Sequence, residues 1–298
     1  MSQKEIKVDV RQGEMGLSYR LPLVEEARRK YWQEMGFAFD PFTTRTESEP
    51  HFFKSAVWPR SIKDQLEDHF PNLGSVDVDC DPEKALMVAG DSGTGKTGSS
   101  VLLERLLSLS PKLQPVYLPV EADGSFNRAR LNVGPPNRRR VYTFDYPADV
   151  DIGAAGRLLG EVIQSTINGS DRENKPKLVV FASPELAGSF LSAAKGIRSV
   201  SICSLDWQAE ELVQLVGIRL HAASLGHKIG FRSMLERGSD PEMEQVIAEH
   251  RLVTPRQVMA FCTLMIDRHL ENGASDPGRI RRTDVAAAET IVEFFDPL

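Results

Sequence analysis

Hydrophobic residues in the middle of the chain come in short runs that alternate with stretches of helical period. Five apolar-rich runs predict buried strands, and they lie at 86–89, 116–120, 141–145, 178–182 and 200–203. Between most of them apolar residues recur every three or four positions, which predicts helices. Strands that alternate with helices favour a parallel sheet covered on both faces, so the pattern predicts a five-stranded α/β domain.

Beyond residue 205 the pattern is helical and predicts no further strand. Apolar stripes at helical spacing run through 209–224, 241–250 and 283–295, and Thr254 with Pro255 supplies a cap and a first-turn proline for another helix. We therefore expect an α/β domain over 61–205 and a smaller all-helical domain over 206–298. Residues 1–60 are expected to form an N-terminal extension or adaptor, with a helix beginning after Pro22.

Composition narrows the class of protein further. With 298 residues, 41% of them hydrophobic, the chain can bury a substantial core. The net charge of −6 does not suggest a general polyanion binder, and the widely spaced Cys80, Cys203 and Cys262 argue against a zinc site or a disulfide framework. No apolar run approaches the roughly 20 residues that cross a bilayer. We expect a cytoplasmic protein with no membrane insertion.

The strongest chemical signal follows the first predicted strand. Gly90, Gly95, Lys96 and Thr97 fit the spacing G-x-x-x-x-G-K-[ST], between a strand and a helix as the phosphate-binding mechanism requires. Backbone N–H groups of a glycine-rich loop and the positive end of the following helix can hold phosphates. Lys96 is expected to reach the β and γ phosphates, and the Thr97 hydroxyl to bind Mg²⁺. The pattern predicts a P-loop NTPase with ATP and Mg²⁺ as cofactors, and the expected nucleotide-binding residues are Gly90, Asp91, Ser92, Gly93, Thr94, Gly95, Lys96, Thr97 and Gly98.

Hydrolysis also requires an acid near the metal and a group that orients water. Asp145, at the end of the 141–145 strand, is the candidate that holds the metal shell through water; alternatively it only caps the strand end. The next residue is Tyr146 rather than a second acid. Asp149 and Asp151 lie close enough in sequence to act as a base, although we favour neither.

The order of these elements resembles the AAA+ superfamily of ATPases. The similarity is to the branch that holds general-secretion, transposition-regulator and origin-recognition ATPases, and it covers roughly residues 31–270. Tyr31-Trp32 and Pro41-Phe42 are similar to the entry segment of that branch. The stretch 178–186 resembles its sensor 1 strand, 201–226 resembles the segment that leads into the lid, and 254–269 resembles the lid helix that bears sensor 2. The resemblance implies an AAA+ type fold, with the helical domain acting as a lid.

The resemblance also implies roles for single residues. Arg256 matches the sensor 2 arginine, which would read the γ phosphate and act with Lys96 and Asp145; the alternative is a solvated arginine in the first turn of a helix. Ser183 lies at the sensor 1 position, where many relatives have Asn. Arg198 lies where a finger for a neighbouring subunit's nucleotide would be, and Lys195 is nearby; alternatively, either is a plain surface charge. Tyr146 stands where the family usually has the catalytic Glu, which implies weak or partner-dependent hydrolysis.

A basic cluster suggests a further partner. It consists of Arg128, Arg130, Arg138, Arg139 and Arg140, in a stretch without acids. These arginines could bind nucleic-acid phosphates or form a subunit contact. A smaller cluster at Arg279, Arg281 and Arg282 allows the same two interpretations.

Three functions remain open at this point. The first is an oligomeric, ATP-dependent switch or regulator that acts on a protein or DNA-bound partner. The second is a hydrolysis-deficient scaffold whose assembly ATP locks. The third, a small-molecule P-loop kinase, is less favoured, because the α/β domain shows no evident acceptor base or substrate lid.

Overall fold

The structure, a computed structural model of the chain, describes residues 22–43, 56–132, 137–164, 175–195, 197–225, 231–236, 246, 252–272 and 279–292. Its helices and strands are α1 (Pro22–Glu34), α2 (Arg60–His69), β1 (Lys84–Ala89), α3 (Lys96–Leu107), β2 (Leu113–Pro119), β3 (Arg139–Asp145), α4 (Ile152–Val162), β4 (Lys177–Ala182), α5 (Ala187–Ala193), β5 (Ser199–Ser204), α6 (Ala209–Ala223), α7 (Pro255–Glu271) and α8 (Arg282–Val292). Short 3₁₀ turns lie at Arg128–Asn132, Pro184–Leu186 and Phe231–Met234. None of the helices in these ranges is long and apolar enough to cross a membrane.

The five strands form one parallel sheet in the order β2-β3-β4-β1-β5. All five strands that the sequence predicts are present, and each begins one to three residues earlier than predicted. Every residue of the central strand β4 is buried, because helices cover both faces of the sheet there. The carboxyl ends of β1, β4 and β3 lie side by side, with Ala89 opposite Ala182 and Asp145 opposite Phe181.

The two faces of the sheet are packed by different helices. Alternate side chains of β1 point to opposite sides, so Met87 packs with Leu159 of α4 and Phe190 of α5, whereas Leu86 and Val88 pack against α2 and α3. This arrangement fixes the carboxyl edge of the sheet, where ligands of such folds bind.

The helical part contains more of the chain than residues 206–298. Tyr31, Trp32, Phe37 and Phe42 are buried in the same core as the apolar faces of α6 and α7. The guanidinium of Arg28 also donates from Nε and Nη2 to the Asp267 carboxylate of α7, at 2.9 and 2.8 Å. The segment 22–43 therefore packs as part of the helical domain, in the core that it shares with α6 and α7.

Some predicted helices differ in their bounds. The stretch after Ser183 begins as a 3₁₀ turn, and the α-helix starts only at Ala187. The period of apolar residues after the phosphate loop predicts a helix over 98–109, whereas α3 begins at Lys96. The helix that the sequence predicts over 152–167 is described only as far as residue 164, and except for Val246 the predicted helix over 241–250 lies outside the described residues.

A buried lysine lies at the amino end of β4, on the edge of the sheet opposite to the phosphate loop. Lys177 is fully buried, and its Nζ contacts His69 Nδ1 at 2.8 Å and donates to the Asp81 carbonyl at 3.1 Å. Burial lowers the pKa of Lys177 to about 8. Burial also lowers the pKa of His69, to about 4, and the nearby Lys177 charge lowers it further towards that value. Among the described residues, the hydrogen-bond contacts of this buried ammonium are thus an imidazole nitrogen and a carbonyl oxygen.

Candidate nucleotide-binding site

The phosphate loop (residues 90–98) joins β1 to α3 and needs glycine at several positions. Gly93 and Gly95 have φ of 82° and 95°, in the left-handed region that other residues rarely adopt. A Cβ at Gly90 would lie 2.6 Å from Thr94 Oγ1. The backbone can therefore close into a loop at the amino end of α3, where free N–H groups and the helix dipole favour phosphate.

Lys96 lies inside this loop. Its side chain is buried, and its Nζ donates to the carbonyls of Gly90 and Asp91 at 2.6 and 2.9 Å. Burial lowers the pKa of Lys96, whereas the nearby carboxylates of Asp145, Asp91 and Glu185 act in the opposite direction. An ammonium held among carbonyls at the centre of the loop suits a cluster of phosphate oxygens.

Asp145 and Thr97 form the candidate Mg²⁺ position. The Tyr117 hydroxyl donates to Asp145 Oδ2 at 2.8 Å, while Asp145 Oδ1 is buried without a hydrogen-bond partner. Burial raises the pKa of Asp145, and the Tyr117 hydrogen bond together with the nearby Thr97 and Ser100 side chains and the Lys96 charge opposes that shift. Within the described ranges, no group of three or more His, Cys, Asp or Glu side chains could hold a metal. One carboxylate and one hydroxyl fit Mg²⁺, which commonly completes its shell with water and phosphate oxygens.

Tyr146 offers no carboxylate to this site. Its side chain is 2% exposed, stacks on Phe144 with ring centroids 6.3 Å apart, and belongs to the core under β3. Burial raises the pKa of its hydroxyl. Tyr146 therefore acts as a core residue at the rim of the cavity and not as a base.

The lid meets the phosphate loop through the start of α7. Thr254 caps this helix as expected, by accepting from Gln257 N–H, and Pro255 is its first residue. Arg256 Nη1 donates to Ser92 Oγ at 3.2 Å, and a Cβ placed on Gly93 would lie 3.1 Å from Arg256 Cβ. The structure thus brings the predicted lid arginine to the loop that would hold the phosphates.

A cavity of about 500 Å³ lies between the phosphate loop and the lid. That volume falls within the range of small-molecule sites. Val57, Leu215 and Met259 form an apolar part of its wall, and Arg219 lies beside them with Nη1 bonded to the Thr43 carbonyl at 3.3 Å. This apolar part suits a nucleobase.

Several of these site residues were not identified from the sequence. Trp207 lines the cavity, and its Nε1 donates to the Thr94 carbonyl at 2.8 Å, so it ties the phosphate loop to the segment before α6. Tyr117 and the apolar wall were missed as well. Each acts through contacts with residues distant in sequence; the apolar period of α6, which carries Leu215, gave a local signal.

The basic cluster is largely engaged within the chain. Arg128 pairs with Glu161 at 2.7 Å, Arg130 donates to the Tyr117 carbonyl at 3.0 Å, and Arg139 donates to the Cys80 carbonyl at 3.0 Å. Arg140 lies beside the Tyr142 hydroxyl, and Arg138 is exposed. A phosphate backbone would have to compete with most of these contacts.

The remaining predicted residues lie apart from the cavity wall. Arg198 is exposed and pairs with Glu83 at 3.7 Å, and Lys195 is also on the surface. Asp149 is exposed, whereas Asp151 caps α4 by accepting from Ala154 N–H at 2.9 Å. Cys80, Cys203 and Cys262 are free thiols.

Comparison with known proteins supports the fold. The chain matches the crystal structure of Cdc6p from Pyrobaculum aerophilum with a TM-score of 0.50 and 15% identity, over 85% of this chain and 71% of that one. It also matches the RuvB Holliday junction branch migration motor of Thermotoga maritima (TM-score 0.49, 18% identity, 79% and 71% covered) and Aeropyrum pernix Orc1 in complex with DNA (0.45, 16%, 70% and 59%). No family model and no curated protein matches the sequence. The similarity to Cdc6p confirms the expected AAA+ type fold, a five-stranded parallel sheet with a phosphate loop and a helical domain.

Proposed function

We propose that this chain, which has the fold of the AAA+ ATPases, binds ATP and Mg²⁺ between its α/β domain and its helical lid and acts as a nucleotide-dependent switch. In this proposal the lid contacts the γ phosphate, and the position of the lid determines the conformation or activity of a partner. The switch works as a homo-oligomer on a protein or DNA-bound partner, with weak or partner-dependent hydrolysis.

The contact between Arg256 and the phosphate loop carries this proposal. Arg256 belongs to the lid helix α7, while Ser92 and Gly93 belong to the loop. A guanidinium is always charged and offers several donors in a planar fork, so it can bind a terminal phosphate that ADP lacks. Loss of such a phosphate contact is a general way to release a mobile element.

Each side chain of the loop has a part in holding the nucleotide. Lys96 Nζ can exchange its carbonyl partners for the β and γ phosphate oxygens. Thr97 and Asp145 would hold Mg²⁺, which when bound neutralises phosphate charge and polarises the bond to the γ phosphate. The apolar wall with Leu215 and Met259 would exclude water around the base.

A scaffold that ATP locks is the second candidate, and the burial of Tyr146 favours it. A tyrosine in the core cannot accept a proton from water at neutral pH, because burial raises its pKa. In that version ATP binds and stabilises an assembly without useful turnover.

The affinities for ATP and ADP test the switch. We expect Lys96→Ala to weaken both nucleotides by about 100-fold or more, and Arg256→Ala to weaken ATP by about 10- to 100-fold but ADP little, as for a lost charge-assisted hydrogen bond. Arg268→Ala is the matched control, since Arg268 lies on the same helix and pairs on the surface with Glu271 at 2.6 Å. Equal losses of ATP and ADP in Arg256→Ala would contradict γ-phosphate reading, and unchanged binding in Lys96→Ala would contradict the nucleotide site itself.

Mass measurements in each nucleotide state separate the two candidates. A switch is expected to change its oligomeric state or its lid position when ATP becomes ADP, as read by light scattering and by small-angle scattering. A scaffold is expected to assemble with ATP and to remain assembled for hours without releasing phosphate. A monomer in every state would contradict both forms of assembly.

A further inference from the structure

The carboxyl end of β4 lies between the phosphate loop and the candidate metal residue. The Ala182 carbonyl accepts from Gly90 N–H at 3.0 Å, and the Phe181 carbonyl accepts from Tyr146 N–H at 2.8 Å. One strand end therefore joins the first residue of the phosphate loop to the residue after Asp145. The residues that follow β4 therefore begin next to the phosphate loop.

Glu185 is the acid that emerges there. It lies in the 3₁₀ turn Pro184–Leu186, which is fixed by the φ of Pro184 and by the fully buried side chain of Leu186. The Glu185 side chain is exposed, yet its charge is close enough to Lys96 for the two to influence each other. The nearby Ser183 side chain and, to a smaller extent, the Lys96 charge hold the pKa of Glu185 below its ordinary value.

The other acids near Lys96 have other partners or lie elsewhere. Asp145 is held by Tyr117 and is the metal candidate. Asp91 lies within the phosphate loop itself, on the residue whose carbonyl receives Lys96. Asp151 is engaged as the cap of α4, and Tyr146, at the usual position of the catalytic acid, is buried.

We propose that Glu185 takes the place of the acid missing at position 146 and is the catalytic residue that accepts a proton from the attacking water. This inference rests on the proposed ATP site. The water oxygen bonds to the γ phosphorus while the bond from that phosphorus to the β–γ bridging oxygen breaks. ADP leaves with the electron pair, and the water proton passes to the Glu185 carboxylate and from there to solvent.

The proposal has a consequence for how hydrolysis is controlled. Glu185 is attached to β4 through a short turn and not to β3, so its distance from the γ phosphate depends on how that turn and the loop at Gly90 sit together. A partner that shifts this turn would change turnover without changing the residues that bind ATP. Weak basal hydrolysis and an intact phosphate loop are then compatible.

Single-turnover hydrolysis of γ-labelled ATP, with protein in excess and Mg²⁺ present, tests the assignment. We expect Glu185→Gln to lower the rate by about 10²- to 10⁴-fold, the usual contribution of a general base, with ATP affinity unchanged. Asp149→Asn and Glu161→Gln are the controls, because both acids are exposed and neither acts on Lys96. Both controls are expected to keep the wild-type rate.

The remaining outcomes contradict either the role of Glu185 or the proposed ATP site, and the two cases can be told apart. A wild-type rate in Glu185→Gln, or a loss in Asp149→Asn instead, would overturn the role of Glu185 and leave ATP binding intact. ATP that stays bound to the wild-type protein without cleavage would also overturn it, and would favour the scaffold. Failure of the proposed function is seen separately, as absence of ATP binding that depends on Lys96.

Discussion

One buried lysine should make a contribution to the stability of the protein that rises with pH above neutrality. Lys177 has a pKa of about 8 in the folded protein against an ordinary value of 10.5. Between these values the unfolded chain binds more protons than the folded one, so the free energy of unfolding increases with pH. At pH 7 the folded state bears the full free-energy cost of the buried charge. Since each unit of pKa shift corresponds to about 1.4 kcal/mol, this cost is about 3 kcal/mol.

The substitution Lys177→Met isolates this effect. Methionine has a similar length and no charge, so the cost of the buried ammonium disappears, while the hydrogen bonds to His69 Nδ1 and the Asp81 carbonyl are lost. The loss of hydrogen bonds is the same at every pH in this range, whereas the charge cost is relieved as the pH rises. Between pH 7 and pH 10 we therefore expect the wild type to gain about 2 kcal/mol relative to the variant.

Urea denaturation of both proteins at several values between pH 7 and pH 10, followed by circular dichroism, measures this difference. Comparison with the variant is necessary because buried acids act in the opposite direction. Burial raises the pKa of Cys80 to about 11, for example, so its stabilising contribution is complete below the ordinary value of 9.0 and is lost as the pH rises towards 11. A wild-type minus variant difference that stays constant across the range would refute the reasoning.

Three further substitutions probe other parts of the structure. Tyr117→Phe removes the donor to the buried carboxylate of Asp145, the candidate Mg²⁺ ligand, and we expect the Mg²⁺ concentration needed for tight ATP binding to rise about tenfold; an unchanged Mg²⁺ titration would show that the hydroxyl does not position that carboxylate. Arg28→Ala removes the buried guanidinium that pairs with Asp267 between α1 and α7 and should lower the free energy of unfolding by about 3–5 kcal/mol, whereas the neighbouring, exposed Arg29→Ala should change it little; equal effects in denaturation would contradict a coupling between α1 and α7. Gly93→Ala places a Cβ at positive φ and 3.1 Å from Arg256 Cβ, which costs about 1–2 kcal/mol. We therefore expect the ATP affinity measured by calorimetry to fall about tenfold. The control Gly188→Ala, whose Cβ meets no neighbour within 4 Å, should leave the affinity unchanged.

The parts of the structure that follow from local pattern were predicted well. A run such as 178–182 has no polar interruption, because β4 lies in the middle of a sheet covered on both faces. The phosphate loop is a local structure whose glycines are set by backbone geometry, so its spacing can be read directly. These features need no knowledge of which distant residues meet.

The features that the sequence did not reveal depend on contacts between distant residues. The helical period of α1 predicted a helix but gave no indication that Tyr31 and Trp32 pack with α6 and α7. Nothing near Trp207 in sequence marks the Thr94 carbonyl as its acceptor. Arg256 was identified through the resemblance and not through a pattern, since one arginine at a helix start carries no signal of its own.

The packing of α1 in the lid has a consequence for the order in which the protein is made. Arg28 and Asp267 are 239 positions apart, so a ribosome must add the whole α/β domain before α1 meets its partner helix. Domains generally fold as they emerge, and the sheet can therefore form first. A nascent chain that ends after β5 would carry the phosphate loop and Asp145 but not the lid arginine, while Tyr31 and Trp32 would still be exposed to chaperones. The contact between Arg256 and the phosphate loop can therefore form only after α7 has been synthesised.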